Sequence, residues 1–265
     1  MRKVSTFNLA AIVLGLTFIY LPIAVLVISS FNGAQQAAPG HGLSTHWYTA
    51  LALDAAVLES GRISIRLAII SATLATILGT LAAVALTRFG RFRGRLLFAS
   101  MICAPLLMPE IVTGLAMLLL FAAVSVDPGF WTVAVAHTTM AMGLVTVIVQ
   151  ARLVAFDQSL EEAAMDLGAS PLDTFRAVTL PLILPTVVAA WLLAFALSLN
   201  DVVIASFTAG PDTTLPIRIY SEIKLGATPE IDAVCSIMIG VVGIAVIAAS
   251  LLGKLNVAGR SPARS

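Results

Sequence analysis

Two carboxylates stand where the sequence otherwise runs apolar. Glu110 is the only charged residue between Arg95 and Asp127. Asp201 closes an uncharged run that begins at Ala177, and no charge follows it until Asp212. If these runs cross a bilayer, each acid costs about 2.5–3.5 kcal/mol even on the gentler insertion scales. An intramembrane acid faces protein or a watered cavity, and its natural chemistry there is cation binding. Glu110 follows Pro105 and Pro109, which free backbone carbonyls in the preceding turns. Thr113, at i+3, can share its face. The alternative for Glu110 is a protonated or arginine-paired structural glutamate. Ser198, Asn200 and Asp201 read as a polar collar, with an interfacial cap as the alternative for Asp201.

A third constellation is polar and local. Glu162-Ala163-Ala164-Met165-Asp166-Leu167-Gly168 is followed, ten residues after the glycine, by Val178-Thr179-Leu180-Pro181. Ser159 and Glu162 stand in the S-x-x-E arrangement of a capping box. Gly168 suits a left-handed helix stop. Ser170-Pro171-Leu172-Asp173 restarts a helix with a capping serine and proline at the first position. The spacing therefore predicts helix, glycine break, helix over 159–176, a compact knob shaped for docking into a partner.

Trp47, in Ser44-Thr45-His46-Trp47-Tyr48, reads either as an interfacial aromatic anchor or as a π-face for an ammonium group. His137 reads as a hydrogen-bonded packing residue, since no other histidine stands at a helical spacing from it. Cys103 and Cys235 fit no metal spacing. Neither a phosphate-binding G-x-x-x-x-G-K-[ST] loop nor H-E-x-x-H, C-x-x-C or G-x-S-x-G occurs. ATP binding by that loop and any metal or nucleophile chemistry built on those motifs are therefore not expected of this chain.

The elements that must position these residues are membrane helices. Hydrophobic residues make up 59% of the chain and charged residues 11%, against about 25% charged in soluble domains. Charge-free windows predict one transmembrane domain over all 265 residues. Its six spans fall near 8–30, 67–87, 96–124, 130–151, 181–207 and 233–253. The third joins two windows across Glu110. The fifth reads either as starting at Ala177 and ending near Asn200, which leaves Asp201 at the outer surface, or as starting after Pro185 and running to Phe207. The second is preferred because Val202–Phe207 is too apolar for a loop. The run at 10–29 is too long for the apolar core of a signal peptide. With a cytoplasmic amino terminus, eleven arginines and lysines fall inside and four, Arg62, Arg66, Arg218 and Lys224, fall outside. That asymmetry puts both termini and the 159–176 knob in the cytoplasm. Ser71, Ala75, Gly79 and Ala83 form a small-residue stripe for close helix packing.

The 162–181 segment resembles the E-A-A-x3-G-x9-I-x-L-P signature of bacterial ABC importer permeases, with Val178 in place of isoleucine. Thr45–Tyr48, Met108–Gly114, Glu161–Ala169, Leu199–Phe207 and Thr214–Pro216 extend the resemblance to the inner-membrane permeases of spermidine/putrescine importers. The resemblance implies an all-α type I importer permease fold in a bacterial inner membrane, with coupling helices docked on an ATPase. It implies a second related permease, a cytoplasmic ATPase dimer that binds ATP and Mg, and a periplasmic polyamine-binding protein. No cofactor belongs to this chain on that reading, and it is not an enzyme. By position, Trp47, Glu110, Ser198 and Asp201 match polyamine-path residues, and Asn200 stands where family members often carry a second aspartate. Glu162, Ala163, Ala164, Gly168 and Pro181 match the coupling signature. Family members often have aspartate at Glu110.

Other readings stay open at this point. A permease for an opine, iron(III) or an amino acid would share the coupling segment. An ion-coupled secondary transporter would leave that segment inert. An intramembrane enzyme would have to use Glu110 and Asp201 as a carboxylate pair, with no second motif beside them.

Overall fold

The computed structural model describes residues 6–32, 44–226 and 229–258, and every regular element among them is helical. The chain divides into two compact units, Met1–Leu58 with Arg218–Gly243, and Glu59–Ile217 with Ile244–Ser265. In the first, α1 (Thr6–Ser29) is apolar on every side, as a helix surrounded by hydrocarbon can be. The α1 exit is tied locally. Buried Ser30 donates to the Val27 carbonyl at 2.6 Å and pairs with the Tyr48 hydroxyl of α2 (His46–Leu53) at 2.6 Å.

The second unit carries most of the chain. Within α3 (Ala55–Arg88) the small-residue stripe is buried as its spacing predicts: Ser71, Ala75, Gly79 and Ala83 all face inward. A Cβ on Gly79 would stand 2.8 Å from Val145 Cβ and 2.9 Å from the Met142 carbonyl. Only glycine admits α6 (Phe130–Val154) at that crossing.

The expected span at 96–124 is not one straight helix. It is α4 (Arg95–Leu107) and α5 (Glu110–Ala123), bent by 114° about Met108 and Pro109. Pro109 has no N–H for the Pro105 carbonyl and forces Met108 into extended backbone, φ −82° and ψ 145°. Two prolines in five residues turn a kink into a reversal.

The expected span at 181–207 also breaks. α7 (Ser159–Asp166), α8 (Pro171–Thr174) and a π-helical turn, Phe175–Thr179, lead into α9 (Leu180–Asn200). α9 runs through Pro185 and stops at Asn200. Asp201 is extended, and α10 (Val203–Thr208) restarts the chain. α10 packs on α5 at Gly114, where a Cβ would meet Phe207 at 2.7 Å and the Ile204 Cα at 3.3 Å. Leu67, Val133, Ala134, Ala205 and Ala209 form a buried cluster around this region.

α11 (Leu215–Leu225) and α12 (Pro229–Ala258) complete the order. Among the described residues four helices are long and apolar enough to cross a membrane, or five if the bent pair counts as one. The expected sixth span, 233–253, falls within α12, where the side chains at 245, 246 and from 248 onward lie outside the described residues, as does the tail at 259–265.

Candidate functional site

The α9–α10 break gathers the polar collar. Ser198 is buried, Asn200 is exposed, and the Asp201 side chain is only 6% exposed. The Asp201 carboxylate accepts from the Ala205 N–H at 2.7 Å and the Ile204 N–H at 3.3 Å, which caps α10. Its third partner is His137 Nε2 at 3.0 Å. The other ring nitrogen, Nδ1, lies 2.7 Å from Ser198 Oγ, and Ser71 Oγ donates to Ser198 at 3.0 Å. Asp201 thus has an imidazole partner supplied by α6. His137 is a hydrogen-bonded packing residue as read, and its bonds go to the polar collar.

Glu110 is placed differently from the buried carboxylate expected at mid-span. It is exposed in the first turn of α5, directly after the bend. Thr113 is buried and turns its hydroxyl back to the Pro109 carbonyl at 3.5 Å, so it does not share Glu110's environment. A carboxylate at a helix N-terminus is favoured by the peptide dipoles. This one keeps its face open to whatever lies beside the bend.

Trp47, in the other unit, is half-buried. Its indole N–H donates to the Asn32 carbonyl at 2.8 Å, and its ring meets His46 edge-on at 5.3 Å. The indole is thus held in a fixed orientation.

The knob forms, with one change of cap. Asp157, rather than Ser159, opens α7, because Gln158 is already helical and the Asp157 carboxylate accepts from the Ser159 N–H at 3.0 Å. That N–H, and then the Ser159 hydroxyl, hold the Asp157 carboxyl below the usual carboxylate range. Gly168 is left-handed at φ +90°, as read. Ser170 accepts from the Asp173 N–H at 3.2 Å, with Pro171 at the first helical position. Glu162, Ala163 and Gly168 are exposed, and Ala164 is half-buried. Leu160, Met165, Leu172 and above all Leu167, 90% exposed, leave an apolar surface around them. Pro181 sits at the start of α9.

Reading the sequence missed the residue that holds the knob. Glu161, next to Glu162, turns inward and pairs with Arg88 Nε at 2.8 Å, and it accepts from the Thr179 hydroxyl at 2.6 Å. Arg88 also donates to the Leu153 carbonyl at 3.3 Å. The ends of α3 and α6, the knob and the π-helical turn meet at this pair. The one signal available was two adjacent glutamates, which a helix sets about 100° apart around its axis.

Comparison with known proteins gives the same picture from another direction. The model of the family described as binding-protein-dependent transport system inner membrane component matches residues 75–257. The chain is 47% identical over 247 residues to the putrescine transport system permease protein PotI of Escherichia coli, covering 91% of this chain and 88% of that one. It is 42% identical over 240 residues to the spermidine/putrescine transport system permease protein PotC of Haemophilus influenzae, covering 90% of this chain and 93% of the relative. Among solved structures, a chain of a bacterial ABC transporter involved in the import of the acidic polysaccharide alginate superposes with a TM-score of 0.72. The two are 15% identical, and the match covers 94% of this chain and 93% of that one. A chain of the MetNI methionine ABC transporter gives 0.63 at 19% identity, covering 80% of this chain and 99% of that one.

Proposed function

The chain belongs to the family of binding-protein-dependent transport system inner membrane components, and from that premise we propose that it is a permease subunit of an ATP-driven polyamine importer. The observation that carries the substrate is the 47% identity to a putrescine permease across nine-tenths of the chain. It is a multi-pass inner-membrane protein. In the reading advanced here six spans cross the membrane, with both termini and the α7–α8 knob in the cytoplasm.

The division of labour follows from the side chains. Glu110, open at the bend, supplies a carboxylate to a passing ammonium group, and Asp201, sealed at the α9–α10 break, adds a second negative charge that acts through space rather than by contact. In a low-dielectric path each attracts an ammonium more strongly than in bulk water. Ser198 and Asn200 flank Asp201 with polar groups, and Trp47 offers an aromatic face. Two carboxylates, rather than a closed cage, suit a site that must also release its cargo. The knob takes no part in binding. Its apolar exposed surface, with Glu162, Ala163, Ala164 and Gly168, docks on the ATPase subunit, and the continuous run through Pro181 into α9 carries the movement inward. ATP and Mg belong to that ATPase. A second related permease completes the path, and a periplasmic polyamine-binding protein delivers the substrate.

The test is uptake of labelled putrescine and spermidine in a strain lacking other polyamine importers, with the partner permease, ATPase and binding protein co-expressed. Uptake that requires the ATPase and is competed by unlabelled putrescine supports the reading. ATPase-dependent uptake of a different solute, with none of either polyamine, refutes the substrate. Uptake that persists without the ATPase refutes the class.

A further inference from the structure

The buried groups around Asp201 form a connected chain of hydrogen bonds. An ionised carboxylate only accepts hydrogen bonds, so His137 Nε2 must carry the ring proton. The other ring nitrogen, Nδ1, pairs with the Ser198 hydroxyl at 2.7 Å. Ser198 is also bonded to Ser71, whose hydroxyl is shared with the Leu67 carbonyl at 2.8 Å. Side chains from α3, α9 and α6 are thus linked in series to Asp201. The imidazole is the one group in the series that reaches the carboxylate.

His137 itself is closed to substrate. Its side chain is 2% exposed. The cavity beside it, lined by His137, Met140, Ala141, Leu197, Ser198 and Asp201, measures about 10 Å³. That is the room one water needs, and an alkyl diamine does not fit. Meanwhile Asp201 caps α10, and α10 packs on α5, whose first residue is Glu110. Whatever His137 does for transport it must do through Asp201.

We propose that His137 is a positioning residue for Asp201: it fixes the carboxylate at the α9–α10 break, and with it the seat of α10 on α5, without touching the substrate. The inference rests on the polyamine-permease reading. It assigns the histidine a role in apparent substrate affinity that neither its burial nor its helix suggests.

Two substitutions separate positioning from mere filling. The amide nitrogen of glutamine reaches the depth of Nε2 and can still donate to Asp201. That of asparagine stops at the depth of Nδ1 and cannot. Putrescine uptake is measured in the assembled transporter, normalised to complex in the membrane. His137→Asn is expected to raise KM about tenfold, the effect of losing one hydrogen bond to a charged group, while His137→Gln stays within about threefold of wild type. In the Asp201→Asn background, His137→Asn should add nothing further, because the two residues act as one unit. Equal effects of Asn and Gln overturn the proposal. So do losses at His137 and Asp201 that multiply. If His137→Asn does not assemble, Ser71→Ala decides, since Ser71 bonds to Ser198 at the far end of the series and is no part of the proposed substrate path. A KM raised about threefold supports the series, and an unchanged KM overturns it. A wild-type transporter that moves no polyamine would fail the functional reading instead, and so is distinguished from failure of this inference.

Discussion

Two breaks in helix, at opposite ends of α6, are built in contrasting ways. His137 near one end and Leu153 at the other stand about 24 Å apart along the helix. At the His137 end the break at Asp201 is sealed. The carboxylate is satisfied by two backbone N–H groups and an imidazole, and little polar surface escapes. At the Leu153 end the break at Gly168 is open. One charge, Glu161, is tied inward to Arg88, and Leu160, Met165, Leu167 and Leu172 turn outward beside the exposed Glu162, Asp166 and Asp173. A sealed break preserves a charge in a fixed place. An open one, anchored by a single buried pair, presents a surface for something else to cover. The same device, a short interruption of helix at 201–202 and at 167–170, is assigned in the proposed function to binding in one place and docking in the other.

The contrast is most sharply broken at Gly168. Its φ of +90° lies where proline, held near −65°, cannot follow. Gly168→Pro should abolish putrescine uptake while the chain still inserts, because α7 and α8 would no longer turn on each other. Immunoblots of membrane fractions alongside uptake check this, and uptake at the wild-type rate removes the docking role.

The next effect is at the anchor. Arg88→Ala leaves Glu161 buried without its ion partner, a loss of about 3–5 kcal/mol. The expected outcome is a transporter that extracts poorly and unfolds at lower temperature in detergent. The double change Arg88→Met with Glu161→Met should recover much of that stability, since a well-packed apolar pair avoids the stranded charge. No recovery would mean the pair does more than hold the knob in place.

The smallest effect is at the cap. Asp157→Ala removes the acceptor for the Ser159 N–H and should loosen the first turn of α7. Faster hydrogen exchange at the first turn of α7, with α9 unchanged, is the expected result. Unchanged exchange at α7 would return the cap to Ser159.

Local chemistry was legible in the sequence and distant pairing was not. Gly168, Ser170, Pro171 and the small-residue stripe of α3 are decided by neighbours within a turn or two, and each fell where its spacing placed it. The bend at Met108–Pro109 was visible as two prolines, but hydropathy carries no direction, so 96–124 was joined as one span. The end of α9 escaped for a related reason. The apolar run 202–207 suits a continuing helix as well as a restarted one, and only the cap at Asp201 separates them. His137 and Asp201 are 64 residues apart, and Arg88 and Glu161 are 73 apart. Neither pair leaves a trace in local periodicity. Glu162 was singled out by its motif, while Glu161, one position earlier and turned into the protein, holds the motif in position.

The central claim is that the two acids at the breaks carry a cationic substrate while the knob carries the coupling. It is tested most directly by Glu110→Gln with Asp201→Asn in one chain, which keeps shape and removes both charges. Labelled putrescine uptake, normalised to assembled transporter, is the measurement. The account predicts at least about a tenfold fall, equivalent to 1.4 kcal/mol, with assembly near normal. Uptake at the wild-type rate by the assembled double variant would contradict it.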